Sequence, residues 1–120
     1  MATNKKIGDK GEQIVIDYFK KKGKKAIREK QGKGYDIRAG RLLIEVKGTE
    51  QTIEQKHFFP MSEKEFFTAC KEKNYWLYWV DVKKKKIVRR VPRDEILANI
   101  LPHPQYRLNL NEIKKRKMEV

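Results

Sequence analysis

The sequence Leu42-Leu43-Ile44-Glu45-Val46-Lys47-Gly48 predicts a β-strand, because its side chains alternate between two faces. One face is apolar and predicts a buried core face; it comprises Leu42, Ile44 and Val46. Glu45 and Lys47 stand two residues apart, so their side chains share the opposite face with Leu43. We expect that face to lie at a sheet surface or edge, where the carboxylate and the amine converge.

A second predicted strand precedes this one. Residues 35–39 and 42–47 flank Gly40-Arg41, a pattern typical of a β-hairpin. Asp36 falls on the first strand, and the expected pairing brings it close to Glu45.

Two carboxylates held close together repel each other, and a divalent cation relieves the repulsion. Mg²⁺ characteristically takes one or two carboxylates together with waters and phosphate oxygens. Lys47 beside such an ion would position a water or stabilise the charge of a phosphoryl transition state. Phosphodiester hydrolysis needs at least these three groups: Asp36, Glu45 and Lys47. The alternative is that they form an exposed ion pair with no catalytic role.

The rest of the chain predicts helices around this hairpin. The expected helices cover residues 9–22, 62–73 and 94–101, and the other expected strands cover residues 25–29, 75–82 and 87–91. Ser62 and Glu65 form the capping-box pattern, and strand 75–82 is apolar on both faces, which predicts a central strand. The order indicates an α/β or α+β fold, a mixed central sheet flanked by helices, in a single domain over residues 1–120.

Glu12 occupies an unusual place on the first predicted helix. It stands three and seven residues before Val15 and Phe19, so it falls on the buried stripe of that helix. A carboxylate there must be paired, protonated or directed into a polar pocket.

The charge of the chain points to a polyanionic partner. Lysine and arginine number 30 against 16 acidic residues, which gives a net charge of +14. Such a charge favours a nucleic-acid partner, with a lysine-rich solvated surface as the alternative. Four consecutive lysines would either bind phosphates or form a solvated turn: Lys83, Lys84, Lys85 and Lys86. We expect no membrane partner, because the longest apolar run, residues 75–80, is too short to span a bilayer.

Cys70 is the single cysteine, so no internal disulfide forms and a reducing, cytoplasmic compartment is expected. With no His or Cys at ligand-like spacing around it, we expect Cys70 to fill the core.

Five segments of the chain carry a family resemblance: Gly11-Glu12, Gly34-Tyr35-Asp36-Ile37, Ile44-Glu45-Val46-Lys47-Gly48, Ser62-x-x-Glu65 and the predicted strand from Tyr75 to Val80. They resemble the PD-(D/E)xK, or restriction-endonuclease-like, superfamily, whose core of helix, three-strand meander, helix and strand corresponds to residues 9–82. Within it they are most similar to the C-terminal domain of NO VEIN proteins, and more loosely to archaeal Holliday-junction resolvases and Mrr-type domains. Tyr35 stands where the nominal proline would be, and residues 83–120 have no clear counterpart.

The resemblance implies roles for five residues. Asp36 and Glu45 would be metal ligands with the Val46 carbonyl as a third, Lys47 would be the catalytic lysine, and Glu12 would hold a metal-bound water. It implies a Mg²⁺- or Mn²⁺-dependent DNA endonuclease.

Two other functions stay open. One is a non-catalytic nucleic-acid-binding module on the same fold, and the other is an assembly subunit whose charge serves solubility. For the endonuclease we expect a homodimer, because one site cuts one strand and most oligomers are two-fold symmetric. Strand 87–91 and the C-terminal segment are the candidate interfaces.

Overall fold

The computed structural model describes residues 3–52, 55, 59–101 and 106–108. Its helices are α1 (Asn4–Lys21), α2 (Glu63–Lys71) and α3 (Arg93–Ala98). Its strands are β1 (Ile27–Arg28), β2 (Ile37–Ala39), β3 (Leu42–Thr49), β4 (Pro60–Met61), β5 (Tyr75–Asp81), β6 (Lys86–Pro92), β7 (Ile100–Leu101) and β8 (Tyr106–Leu108).

Five of the strands form one mixed sheet in the order β1-β2-β3-β5-β6. Strands β3 and β5 run parallel, and the other neighbours in this sheet are antiparallel. The prediction of a mixed α+β fold is confirmed, and so is the central position of β5. A three-stranded sheet in the order β4-β8-β7 was not predicted.

Helices cover both faces of the five-stranded sheet. Val15 and Phe19 of α1 belong to the apolar cluster on one face, and Ala69 of α2 and Ile96 of α3 belong to the cluster on the other. The face that carries Glu45 is therefore not an open sheet surface, which rules out one of the two expected locations and leaves the other, a sheet edge. Both faces need a cover because β3 and β5 lie inside the sheet, and β5 is apolar on each side.

The helix ends follow their capping residues. Thr3 caps α1 by accepting a hydrogen bond from the Lys6 N–H (3.2 Å), so the helix begins five residues before the predicted start at residue 9. The capping box of α2 is confirmed, since the Ser62 side chain accepts from the Glu65 N–H (3.1 Å) and the Glu65 side chain accepts from the Ser62 N–H (3.0 Å).

Two glycines let α1 approach β3 closely. A Cβ on Gly11 would lie 3.2 Å from Cγ1 of Val46, and one on Gly48 would lie 2.9 Å from the Ile7 carbonyl oxygen. Because a side chain at either position would push the helix away, these glycines hold the neighbouring Glu12 beside β3.

The segment that joins β1 to β2 packs directly on α2. Gly34 has φ +84°, and a Cβ there would collide with the Thr68 hydroxyl and lie 3.2 Å from the Lys64 carbonyl oxygen. The Tyr75 hydroxyl donates to the Gly34 carbonyl (3.0 Å), which fixes the segment from the side of the sheet. Gly34 therefore sets the distance between this segment and α2.

Two further expectations need correction. Cys70 is exposed on α2 rather than buried in the core, because Ala69 is the residue of α2 that turns fully inward. The third helix ends at Ala98 rather than at residue 101, since Ile100 and Leu101 pair with β8. In the part of the chain that the structure describes, no helix has the length and apolar character needed to cross a membrane.

Gly34→Ala is expected to destabilise the protein more than Gly40→Ala. Both positions have positive φ, which costs an alanine about 1–2 kcal/mol, but only at Gly34 does the new methyl collide with a neighbour. Overpacking of this kind adds about 1–3 kcal/mol. Urea unfolding of the two variants measures the difference, and equal losses would contradict the packing of this segment on α2.

Candidate active site at the open edge of strand β3

The candidate site lies where β2 stops covering the edge of β3. The last β2–β3 pair joins Ile37 to Ile44, whereas β3 continues to Thr49. Asp36 stands at that point, with its N–H donating to the Ile44 carbonyl (2.8 Å) and its carbonyl accepting from the Glu29 N–H (2.9 Å). Its main chain is thus held from both neighbouring strands.

The Asp36 carboxylate occupies the edge position that β2 leaves open. Its Oδ2 accepts a hydrogen bond from the Val46 N–H at 2.8 Å. Since the N–H and carbonyl of a strand residue point to the same side, the Val46 carbonyl also lies on the Asp36 side of β3.

Lys47 lies between two carboxylates. Its Nζ is 3.1 Å from Oε2 of Glu45 and 3.2 Å from Oε1 of Glu65. The same Oε1 accepts the Ser62 N–H of the capping box, so Glu65 connects the start of α2 to the site. The side chains are well buried, with exposed fractions of 5% for Glu45 and 16% for Lys47.

A cavity of about 380 Å³ opens onto this cluster. Its acidic lining is Asp9, Glu12, Glu29, Asp36, Glu45 and Glu65. Its basic lining is Arg28, Lys30 and Lys64. Lys47 does not line the cavity and reaches it only through its two carboxylate partners.

Burial raises the pKa of three of these acids. The pKa of Glu45 is raised well above its ordinary value by burial, with Lys47 opposing and Asp36 and Glu65 adding to the rise. Burial also raises the pKa of Asp36, against the Val46 hydrogen bond and the charge of Lys47. For Glu12, burial and then the charge of Asp36 raise the pKa to about 7, although Arg28, 3.7 Å away, opposes the rise.

The pKa values of Lys47 and Glu65 are both shifted so as to favour the charged form, upward for Lys47 and downward for Glu65. Burial lowers the pKa of Lys47, but the carboxylates of Glu45 and Glu65 together raise it above its ordinary value. Burial raises the pKa of Glu65, yet hydrogen bonds from Glu45, Lys47 and the Ser62 N–H lower it on balance. Lys47 and Glu65 are thus a charged pair, while Glu45 and Glu12 are the acids that hold protons most readily.

This donor set fits a Mg²⁺ ion. Glu12, Asp36, Glu45 and Glu65 place more negative charge around the cavity than Lys47 and Arg28 offset, and either protons or a divalent cation relieve the excess. Within the described residues no three His, Cys, Asp or Glu side chains are grouped so as to hold a metal by themselves. Mg²⁺ needs only one or two carboxylates, and the residues that could hold one are Asp36 and Glu45, with the Val46 carbonyl beside them.

The structure brings together the five residues predicted for the site: Glu12, Asp36, Glu45, Val46 and Lys47. Lys83, Lys84, Lys85 and Lys86 lie exposed at the β5–β6 turn and do not line the cavity. Their role in nucleic-acid binding stays a prediction. In the sequence, Glu65 was predicted to cap α2 and belonged to a segment that carries the family resemblance, but its spacing from Ser62 gave no sign that its carboxylate also reaches Lys47.

Glu65→Gln is expected to destabilise the protein at neutral pH. Glutamine keeps the capping-box hydrogen bond but loses the ion pair with Lys47. Because the folded pKa of Glu65 is lowered, its contribution is present above its unfolded pKa and lost as pH falls through the folded pKa. We expect the loss on urea unfolding to be about 1–3 kcal/mol at neutral pH and to vanish in acid.

Glu63→Gln is the matched control, because Glu63 is an exposed acid in the same helical turn. Glu65→Ala should cost about 1 kcal/mol more than Glu65→Gln, since it also breaks the capping box. If Glu65→Gln and Glu63→Gln had the same small effect, the ion pair with Lys47 would contribute nothing.

Glu12→Gln is expected to have the opposite effect on stability. The folded pKa of Glu12 is raised to about 7, so folding is favoured with Glu12 protonated and this advantage is lost as pH rises from about 4.5 through 7. The variant should therefore be more stable than the wild type at pH 8–9, by about 1–2 kcal/mol once solvent screening of a partly exposed side chain is allowed for. The difference should disappear near pH 4, and the measurement is urea unfolding in EDTA.

Asp17→Asn serves as the control for Glu12→Gln, since Asp17 is an exposed acid of α1 outside the cavity. A stability difference between wild type and Glu12→Gln that did not change with pH would show that Glu12 is not held in a charge-disfavouring site.

Comparison with known families gives one match. The model of the family described as Protein NO VEIN, C-terminal, matches residues 11–91, which run from within α1 to within β6 and include Glu12, Asp36, Glu45, Lys47 and Glu65. Comparisons with curated proteins and with solved structures gave no match. Because the family match covers well over half of the chain, this chain belongs to the NO VEIN C-terminal domain family.

Proposed function

We propose that this chain is a Mg²⁺- or Mn²⁺-dependent DNA endonuclease of the PD-(D/E)xK type. The observation that carries the proposal is the meeting of Asp36, Glu45 and Lys47 at the open edge of β3. The carboxylates of Asp36 and Glu45 line one cavity, and the buried Lys47 amine lies 3.1 Å from Glu45, an arrangement that suits phosphodiester hydrolysis.

Asp36 and Glu45 would hold the metal ion, with the Val46 carbonyl as a third ligand. When bound, the ion supplies Lewis acidity toward a phosphate oxygen and an acidified water. Asp36 is preorganised for this role because the Val46 N–H fixes one of its oxygens at 2.8 Å. An ion bound there would favour the charged form of Glu45 and so oppose the burial that raises its pKa.

Lys47 and Glu12 would act on the reacting groups. With Glu45 engaged as a ligand, Lys47 keeps Glu65 as its anchor (3.2 Å) and can turn its charge toward the cavity to stabilise a phosphoryl transition state. Glu12 lines the cavity with a pKa of about 7, which suits it to orient a water and accept a proton near neutral pH.

One observation favours the second function, a non-catalytic nucleic-acid-binding module. Lys47 is bound to both Glu45 and Glu65 and does not line the cavity. If that pairing persisted with DNA bound, Lys47 would be structural and no bond would be cut.

A homodimer accompanies the endonuclease proposal, because a single site cuts one strand. Strand β6 forms one end of the five-stranded sheet and is a place where a second copy could pair. The C-terminal segment, the other candidate interface, lies outside the described residues beyond residue 108.

The direct test compares wild type, Lys47→Ala and Asp36→Ala on labelled duplex, single-stranded and branched DNA with Mg²⁺, Mn²⁺ or EDTA. Lys47→Ala should lower the cleavage rate about 10²-fold or more and spare DNA binding, since its charge acts in the transition state. Asp36→Ala removes a ligand, so any remaining cleavage should require much more metal.

Arg41→Ala, at the exposed tip of the β2–β3 hairpin, is the control that should cleave as the wild type does. Circular dichroism confirms that each variant is folded. The endonuclease proposal fails if the wild type cuts no DNA with either metal, or if both site variants cut as fast as the wild type.

A further inference from the structure

We infer that the DNA backbone is bound at the mouth of the cavity by Lys30 and Lys64. This inference rests on the proposed function, because it takes the cavity as the place where the scissile phosphate enters. It names the surface that holds the substrate, which the resemblance to a nuclease family leaves open.

The three basic side chains that line the cavity differ in whether they are already paired with other groups of the protein. Arg28 is committed to the protein, with Nη1 3.8 Å from Asp9, 3.7 Å from Glu12 and its Nη2 donating to Gln13 (3.1 Å). Lys30 and Lys64 are exposed, and neither forms an ion pair with any residue in the described ranges. These two ammonium groups are therefore available to a ligand.

Lys30 and Lys64 stand on two elements that meet at the mouth. A Cβ built on Gly32 would lie 3.8 Å from Nζ of Lys64, so this ammonium lies against the segment between β1 and β2. Lys30 is two residues earlier in that segment, which places its Cα within about 7 Å of the Gly32 Cα. The two lysines thus face the same opening from α2 and from the segment.

The main chain around these lysines is well packed. The contact between Gly34 and Thr68 leaves no room for a Cβ, and the capping box fixes the turn of α2 that carries Lys64. A fixed main chain reduces the conformational entropy lost on binding, compared with lysines on a mobile loop.

The charges of the cavity are layered in a way that suits a phosphodiester. The buried or half-buried carboxylates repel phosphate, whereas the exposed Lys30 and Lys64 attract it; these carboxylates are Glu12, Asp36, Glu45 and Glu65. The two other acids of the lining are already paired, Asp9 with Arg28 and Glu29 with Lys33 and Arg38. A nucleic-acid backbone would bind at the mouth through its flanking phosphates and present one phosphate to the carboxylates and their cation. A neutral substrate would gain nothing from the two exposed ammonium groups.

The lysines at the β5–β6 turn are less well placed. Glu45 pairs in register with Leu77, and the turn begins five residues later at Val82, about 16 Å along the strand at about 3.3 Å per residue. None of these lysines lines the cavity. They add to the general attraction for DNA without facing the site.

The test compares two double variants with the same change of net charge, from +14 to +12. Lys30→Ala/Lys64→Ala alters the mouth, and Lys83→Ala/Lys84→Ala alters the turn. Binding to a short fluorescein-labelled duplex is measured by anisotropy in EDTA over a range of salt concentrations, with circular dichroism to check folding.

The mouth variant should bind about tenfold more weakly or worse, and the slope of log K against log salt should become shallower by about 2, one for each lost phosphate contact. The turn variant should lose no more than about threefold. The inference is overturned if the mouth variant loses no more affinity than the turn variant, or if the wild type binds no DNA.

Cleavage, assayed separately, distinguishes this inference from the proposed function. If the wild type binds DNA through Lys30 and Lys64 but cuts none with Mg²⁺ or Mn²⁺, the inference stands and the endonuclease proposal fails. If the wild type cuts DNA and the Lys30→Ala/Lys64→Ala variant binds DNA as tightly as the wild type, the endonuclease proposal stands and the inference fails.

Discussion

The hydrogen bond from the Val46 N–H to the Asp36 carboxylate is the contact on which the site depends. Strand β2 leaves β3 at this point, and an open strand edge inside a folded protein needs a partner for its N–H groups. Asp36 provides that partner with its side chain instead of its main chain. The same contact therefore completes the sheet and places a carboxylate beside Glu45.

The opening at this edge allows helices from both faces of the sheet to reach it. Helix α1 brings Glu12 from one side, held close by the contacts of Gly11 and Gly48 with their neighbours. Helix α2 brings Glu65 from the other side, through the residue that also closes its capping box. The result is a cluster of acids around one buried lysine, and the pKa values of Glu45 and Glu12 are raised first by burial and then by the neighbouring acids. Buried acids with perturbed pKa values are characteristic of functional sites, although ion-pair networks with a structural role also produce them.

Much of this site could be predicted from the sequence because the alternation of β3 fixes which side chains share a face. Asp36 followed from the hairpin, because it depends on neighbours close in sequence. The helical period placed Glu12 on the buried stripe of its helix, but only the family resemblance assigned it to the site. The burial of the Glu45 face did not follow, because it depends on where α2 and α3 pack. Glu65 was missed for the same reason, as its contact with Lys47 joins residues 18 apart. The three-stranded sheet was missed because its strands are two or three residues long, too short for a periodic signal.

Titration of Mn²⁺ into the protein by calorimetry, in buffers of different ionisation enthalpy near pH 7, tests the central claim most directly. If Asp36 and Glu45 form a metal site, one Mn²⁺ should bind per chain and release protons, because the raised pKa of Glu45 must fall when its carboxylate becomes a ligand. Asp36→Ala should abolish or strongly weaken that binding. A metal site on these residues is ruled out if no Mn²⁺ binds. It is also ruled out if Mn²⁺ binds without proton release and with the same affinity in Asp36→Ala.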